Sequence, residues 1–303
     1  MFGIVRYSFT IVATFCVAAL CGERAFGQVL KGEAAYGGWH DDRPGLRRLL
    51  TPQDLPPIEK PTYGLAQVVP IPTGARPQVP DGFSVERVTS ALRKPRVIRE
   101  APNGDLFVAD TMFDAVHVLR IPPGSAHAVR DEVFASGLKQ PFGIAFYPLG
   151  PNPRWVYIAN SDGVVRFRYK TGDLKATGKP EQIIAGIPTT HHYARDIAFS
   201  ADGHRLFSSV GSGSNAAQDM FPEPHLIMHP SPHIVNGGEY EDFITGFVLS
   251  DSQVWGRPVG VAVAKDGSLI VTEDGNGTLW RVAYRGDART ASGGGETARH
   301  IGN

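Results

Sequence analysis

A tight turn and an apolar strand stand together in Ala101-Pro102-Asn103-Gly104-Asp105-Leu106-Phe107-Val108-Ala109-Asp110. Asn-Gly and Asp-Gly steps beside apolar strands are strong hairpin signals, because glycine adopts positive φ without strain and Asn or Asp tolerates it. The same order returns at Asp202-Gly203 and at Asp266-Gly267, each followed by an apolar run. The chain therefore repeats a β-hairpin unit.

Four copies of a longer unit contain these hairpins. Each copy has a loop that ends in Pro or Arg, an inner apolar strand, a turn and a second apolar strand. The inner strands begin near these residues: Pro95, Pro141, Arg195 and Arg257. Their spacing of roughly 45 to 65 residues is near the ~40–50 residues of propeller blades. Because one meander cannot cover both of its faces, we predict an all-β fold, a β-propeller with about four recognisable blades, rather than a β-sandwich.

The composition agrees with many short strands. The chain has 303 residues with 35 glycines and 24 prolines, together roughly a fifth of the total against about an eighth in average proteins. Its formal net charge is zero, which gives no electrostatic reason to expect nucleic acid or an anionic membrane surface as a partner. Both cysteines, Cys16 and Cys21, precede the repeats, so thiolate catalysis is not expected there.

The N-terminus has the pattern of a secretory signal. Arg6 precedes an apolar stretch from Phe9 to Cys21, and Ala25-Phe26-Gly27 fits a small-x-small cleavage site. The apolar stretch is shorter than the ~20 residues of a membrane span. We therefore expect a signal peptide at 1–27, no membrane span after cleavage, and a periplasmic or secreted protein.

The rest of the chain divides by composition. We predict a Pro-rich N-terminal extension at 28–80, in which Arg47 to Leu50 favours one helical turn. The propeller domain follows at 81–285 and includes an irregular stretch at 216–240. A polar, Gly-rich tail at 286–303 is expected to be disordered.

Two loops before inner strands contain candidate site residues. His191 and His192 precede Arg195 and Asp196. A neutral imidazole there could take a proton from a substrate hydroxyl, with Asp196 or another carboxylate setting its tautomer; a solvated pair of loop histidines is the alternative. Arg257 could pair with a ligand carboxylate or bond to nearby carbonyls.

Other polar sets are weaker candidates. The spacing of His225, His229 and His233 would suit zinc on a helix, but neighbouring prolines break a helix, and we predict no metal site there. Short polar residues that follow strands usually bond to the turn backbone, and one or two of them could instead reach the pocket. This set comprises Asp110, Asn160, Ser212, Asn215 and Asp274.

The order of these motifs resembles the bacterial PQQ-dependent sugar dehydrogenases, in the branch called sorbosone dehydrogenases, which are six-bladed propellers related to soluble aldose sugar dehydrogenases. The resemblance is carried by these segments: Tyr36 to Arg48, Thr51 to Pro57, Val79 to Phe83, Ala101 to Ala109, Pro141 to Phe146, His192 to Phe199, Ser209 to Asn215, Asp242 to Phe247 and Trp255 to Val263. It implies oxidation of an aldose-type sugar or sugar aldehyde by hydride transfer to PQQ.

The resemblance also implies roles for single residues. His192 matches the general base, with His191 as the runner-up. Arg257 matches an arginine that binds a PQQ carboxylate. Thr272 falls near a position that lines the cofactor pocket, and Arg195 is a weaker candidate for the same pocket.

The sequence departs from this family between Asn215 and Asp242. The family has well over a hundred residues there, with an Arg-Asn-Pro motif and the carbonyls that hold calcium, and these motifs are absent here. Calcium is therefore implied by resemblance alone. A non-catalytic periplasmic binding or scaffold module and a lactonase-like propeller hydrolase remain as alternatives. We expect a small sugar as substrate, leave the electron acceptor unassigned, and expect that open propeller edges favour self-association.

Overall fold

A computed structural model describes residues 29–54, 66–189, 192–211 and 239–286. The strands in these ranges are β1 (Val29–Lys31), β2 (Arg47–Leu49), β3 (Gln67–Val68), β4 (Phe83–Thr89), β5 (Pro95–Glu100), β6 (Leu106–Asp110), β7 (Ala115–Arg120), β8 (Arg130–Ala135), β9 (Ile144–Tyr147), β10 (Trp155–Asn160), β11 (Gly163–Arg168), β12 (Thr177–Ala185), β13 (Ile197–Phe199), β14 (Leu206–Ser208), β15 (Glu239–Glu241), β16 (Val248–Ser250), β17 (Gln253–Val254), β18 (Pro258–Val263), β19 (Leu269–Glu273) and β20 (Thr278–Tyr284). Short 3-10 helices lie at Gly32–Tyr36, Trp39–Asp41, Pro52–Asp54 and Thr111–Phe113. No helix in the described ranges is long and apolar enough to cross a membrane.

The strands form a β-propeller, which confirms the predicted all-β fold. Blade A is the antiparallel sheet β5-β6-β7-β8, and blade B is β9-β10-β11-β12. Blade C has two strands in the described ranges, β13 and β14. Blade D has the order β18-β19-β20-β4, so strand β4 from the start of the domain completes the sheet at its end.

Apolar clusters between the sheets order the blades as D, A, B and C. One cluster joins blades D and A and includes Ile98 and Ile270. A second joins A and B and is rich in aromatic rings, with Phe107 at 5.0 Å from Phe146 between ring centroids. A third joins B and C through Tyr157 and Ile197. Burial of apolar area between blades is the main favourable term that holds this arc together.

The three hairpin turns have the predicted geometry. Gly104, Gly203 and Gly267 have φ values of 95°, 73° and 79°. Each glycine N–H donates a hydrogen bond to the carbonyl three residues earlier, over 2.7 to 2.8 Å. Glycine is favoured at these positions because other residues pay a steric penalty at positive φ.

The N-terminal segment contains short strands that the sequence did not predict. The helical turn expected at Arg47 to Leu50 is wrong, since β2 pairs with β1 on one side and β15 on the other. The buried Arg48 side chain holds this arrangement by donating to Asp42 at 2.7 Å and Asp242 at 2.6 Å. A charged group at a buried position needs such partners, and only the tertiary fold supplies Asp242.

Several predicted segments fall mainly or wholly outside the described residues. These are the signal peptide at 1–27, the tail apart from residue 286, and the irregular stretch 216–240 apart from residues 239 and 240, which lie in β15.

Gly277 tests how tightly blade D fits against the loop after β4. Its φ is 73°, and a Cβ added there would overlap the carbonyl oxygen of Leu92. Gly267 has a similar φ of 79° but nothing within 4 Å of the added Cβ. We expect Gly267→Ala to lose about 1–2 kcal/mol from backbone strain, and Gly277→Ala to lose more because overpacking adds to strain. Urea unfolding measures both, and equal losses would contradict the close contact.

Asp266, in the turn between β18 and β19, joins blades D and A. Its carboxylate accepts hydrogen bonds from the Gly124 N–H at 2.7 Å, from Ser268 and from Arg281. Partial burial disfavours the charged form, but these hydrogen bonds outweigh it and hold the Asp266 pKa below its usual range. A lowered pKa in the folded state stabilises the protein above the unfolded pKa of about 3.9.

We therefore expect this contribution to be complete above about pH 5 and to be lost as the pH falls through the unfolded value toward the lower folded one. Asp266→Asn removes the titrating group, so the difference in unfolding free energy between the two proteins should shrink on acidification. Denaturant unfolding at a series of pH values measures it. A difference that stays constant with pH would show that Asp266 does not carry this linkage.

Candidate functional site

The loops that enter the inner strands meet at one end of the propeller arc. The Gly143 N–H, before β9, donates to the Arg195 carbonyl, before β13, at 2.9 Å. Thr272 on β19 donates its hydroxyl to the Arg96 carbonyl on β5 at 2.6 Å. These contacts gather the starts of the inner strands, where the sequence placed its candidate residues.

Asp274 binds two arginines from different blades at this end. Its Oδ2 lies 2.9 Å from Nη2 of Arg96, and its Oδ1 lies 2.9 Å from Nε of Arg257. The Asp274 side chain is only 4% exposed, whereas that of Arg257 is 42% exposed. The Glu273 carboxylate next to Asp274 accepts from the Arg257 backbone N–H at 2.9 Å and balances the second guanidinium charge. The exposed guanidinium of Arg257 can still pair with an anion through its planar fork.

Tyr193 connects the histidine loop to this ion-pair cluster. The guanidinium carbon of Arg96 lies 5.3 Å from the centre of the Tyr193 ring, in a cation–π arrangement. The adjacent His192 is exposed, and a Cβ added to Gly211 would lie 2.8 Å from its Cβ. The structure thus places His192 one residue from a side chain that contacts Arg96.

Arg195 fixes the backbone that carries His192. It is 1% exposed, and it donates to the carbonyls of His192 at 2.6 Å, Ala194 at 2.8 Å and Pro188 at 2.5 Å. Burial lowers the pKa of its guanidinium below the ordinary value. These contacts give Arg195 a role in shaping the loop, because its terminal nitrogens are already used by carbonyl oxygens.

Thr272 lies in the interface between blades D and A. It is fully buried, and its hydroxyl also accepts a hydrogen bond from the Gly260 N–H at 2.9 Å. A Cβ on Gly260 would overlap the Arg96 carbonyl oxygen. Thr272 therefore sets the position of the Arg96 backbone.

The predicted site residues are thus partly brought together. Arg257 and the His192 loop lie at the same end of the arc, while Thr272 and Arg195 are buried in backbone contacts. His191 lies outside the described residues. Asp110 bonds to turn backbone as predicted, at the Arg93 and Lys94 N–H groups.

Sequence reasoning missed Arg96, Tyr193 and the bridging role of Asp274. A signal for Arg96 was present, because Pro95-Arg96 and Arg257-Pro258 both stand where an inner strand begins. Asp274 was among the polar residues that follow strands, without an assigned role, and Tyr193 carried no such signal. Their roles depend on contacts between blades that a single sequence does not reveal.

The arginine pair suits an anionic cofactor better than a metal ion. No described residue bonds to the two terminal nitrogens of Arg257, so they can meet a ligand carboxylate. Within the described ranges, no group of three or more His, Cys, Asp or Glu side chains could hold a metal ion. The three histidines at 225, 229 and 233 lie outside those ranges.

Comparison with known proteins agrees with the fold. The TrAA12-like family model matches residues 77–224, slightly under half of the chain, and no curated protein matches. The chain is similar to the Carbohydrate-Active Enzymes Family AA12 protein of Trichoderma reesei. In its iodide structure the identity is 11%, the match covers 74% of this chain and 100% of that chain, and the TM-score is 0.54.

Two further structures are similar to this chain. The calcium structure of the same Trichoderma reesei protein has 11% identity, covers 74% of this chain and 99% of that chain, and has a TM-score of 0.54. The holo form of the pyranose dehydrogenase PQQ domain from Coprinopsis cinerea has 17% identity, 75% and 59% coverage, and a TM-score of 0.43. The Trichoderma structures show a shared fold.

Thr272→Val tests the structural role of the buried hydroxyl. Valine has a similar shape but leaves the Arg96 carbonyl and the Gly260 N–H without this partner, which should cost about 1–3 kcal/mol. Thr272→Ser keeps the hydroxyl and should retain most of that stability. Chemical denaturation of the two variants gives the comparison, and equal stability would contradict the inter-blade hydrogen bond.

Proposed function

We propose that this protein oxidises an aldose-type sugar or sugar aldehyde with PQQ as the hydride acceptor. The observation that carries the proposal is the arginine pair on Asp274, which lies at the same end of the arc as the His192 loop. The likeness to a carbohydrate-active enzyme supports a sugar as substrate. A sorbosone-like sugar aldehyde is the finer assignment, and it rests on the resemblance in sequence motifs.

The arginine pair would bind a carboxylate of PQQ. Arg257 provides two terminal nitrogens in a planar fork that matches a carboxylate, while its Nε is fixed by Asp274. Arg96 adds a second positive charge and is held by Asp274 and Tyr193. When bound, PQQ supplies the acceptor for the hydride that leaves the sugar C–H.

His192 is the candidate general base. A neutral imidazole at its exposed position can accept the proton of the sugar hydroxyl on the carbon that loses hydride. Arg195 fixes the His192 carbonyl, which limits how far the loop can move. The imidazole would hold this proton, and the hydride would pass to PQQ when it is bound. An aldose in its ring form carries the required hydroxyl, whereas a sugar aldehyde would react as its hydrate, with water supplying the hydroxyl.

The proposal also includes calcium and a localisation outside the cytoplasm. Calcium is implied by the sequence resemblance, and the described residues contain no cluster of acidic side chains to assign to it. The signal-like N-terminus supports a periplasmic or secreted enzyme. No step of the proposed reaction requires calcium to contact a named residue.

Titration of the purified protein with PQQ, with and without calcium, tests the cofactor site. We expect saturable binding in the wild-type protein and an affinity at least about tenfold weaker in Arg257→Ala, the equivalent of one charge-assisted hydrogen bond. Arg285→Ala is the control, because it removes the same charge from blade D where Arg285 bonds to Glu86. No binding of PQQ at micromolar concentration would overturn the proposal and favour a scaffold role.

Visible absorbance during the addition of aldose sugars tests the reaction itself. His192→Ala should bind PQQ like the wild-type protein and lose sugar-dependent reduction, because it lacks only the base. His191→Ala is the matched control and should retain the reaction. Retained reduction in His192→Ala with loss in His191→Ala would transfer the role to His191, and metal-dependent lactone hydrolysis without PQQ would replace the proposal altogether.

A further inference from the structure

The first and last blades in the order D, A, B and C expose apolar side chains. On β18 the residues Val259, Val261 and Val263 are 44%, 58% and 60% exposed. On β14 the ring of Phe207 is 55% exposed. Soluble proteins seldom leave such side chains together in solvent unless a partner covers them.

The valines belong to the face of blade D that points away from blade A. Residues alternate in direction along a strand, and Gly260 and Ala262, between the valines, lie against blade A. Val261 is paired with Val271, and Val271 with Trp280, across this face. Trp280 is covered by Trp255 and Phe247, so the inner strand is the part that remains open.

Phe207 belongs to the face of blade C that points away from blade B. Ile197, Phe199 and Leu206 pack toward blade B. Phe207 is paired with Ala198 on the opposite face, and both are exposed. Blade C therefore packs on one side only in the described part of the chain.

The two open faces correspond to the two sides of an ordinary junction between blades. Blades D, A, B and C pack in series, so each inner blade uses one face toward the blade before it and the opposite face toward the blade after it. The open face of blade C corresponds to the face of blade B that packs against C. The open face of blade D corresponds to the face of blade A that packs against D. Contact between them would join the same kinds of face as the three junctions already present, through the inner strand of blade D that Trp255 and Phe247 leave uncovered.

The part of the chain between the two open faces that the structure does not describe is shorter than a complete blade. Only 27 residues, 212–238, separate the described parts there, whereas blade A extends from Pro95 to Ala135 and blade B from Ile144 to Ala185. The formal net charge of zero gives no general repulsion between copies.

We propose that a second copy of this chain covers these faces, with Phe207 of one copy against Val259, Val261 and Val263 of the next. The contact is heterologous, so it closes into a ring if the rotation permits and otherwise extends as an open series. A closed pair would contain eight blades, within the range of about four to eight in propellers. This inference rests on the fold and is independent of PQQ binding.

Sedimentation velocity over two decades of protein concentration tests the proposal. We expect wild-type protein to form dimers or larger species, and Val261→Glu and Phe207→Glu each to remain monomeric. Val129→Glu is the control, since Val129 is 60% exposed before β8, away from both faces, and it should associate like the wild type. Circular dichroism checks that each variant is folded.

Mixing the two monomeric variants gives the sharper result. Val261→Glu retains an intact blade C face and Phe207→Glu an intact blade D face, so an equimolar mixture should form a one-to-one heterodimer. A wild-type protein that is monomeric throughout would overturn the proposal. Association that is abolished by only one of the two substitutions would overturn it as well, because it would indicate contact between identical faces.

Discussion

The close approach of β18 to β5 is the contact on which the rest of the site depends. Gly260 leaves room for the Arg96 carbonyl, and Thr272 bonds to both backbones. A side chain at residue 260 would force the two inner strands apart. Since protein interiors are close-packed, such a displacement cannot be absorbed without moving neighbouring groups.

The close approach of β18 to β5 also determines the electrostatics of the candidate site. With β18 and β5 in contact, Arg257 and Arg96 reach the same buried carboxylate of Asp274. Arg257 and Asp274 belong to blade D and Arg96 to blade A, so the two arginines share the carboxylate only while blades D and A are joined. The pairing of β4 with β20 adds a second constraint, because it links the first strand of the domain to its last blade.

The sequence predicted local features well and distant contacts poorly. The Asn103-Gly104 and Asp266-Gly267 turns depend on backbone conformations that only a few residue types adopt, and they were found where predicted. The β4–β20 pairing joins residues almost two hundred positions apart, and nothing in either strand specifies the partner. Arg48 illustrates the same limit, since its strand is fixed by Asp242 rather than by local propensity.

The candidate site shows the same difference between local features and distant contacts. Arg257 and His192 were identified because they occupy equivalent places before inner strands, which a repeat reveals. Arg96 and Tyr193 acquire their roles through contacts between blades, and Arg195 and Thr272 proved to be engaged with backbone groups. Residue type indicates what chemistry is available, whereas the packing of the blades decides which groups remain free to use it.

The most direct test of this account is the affinity of Gly260→Ala for PQQ, measured beside the wild-type protein under conditions in which circular dichroism shows both to be folded. If the junction of blades D and A assembles the cofactor site, the wild-type protein binds PQQ and the variant loses most of that affinity, although residue 260 offers no side chain to a ligand. Equal affinity in the two proteins, or no binding in either, would contradict the account.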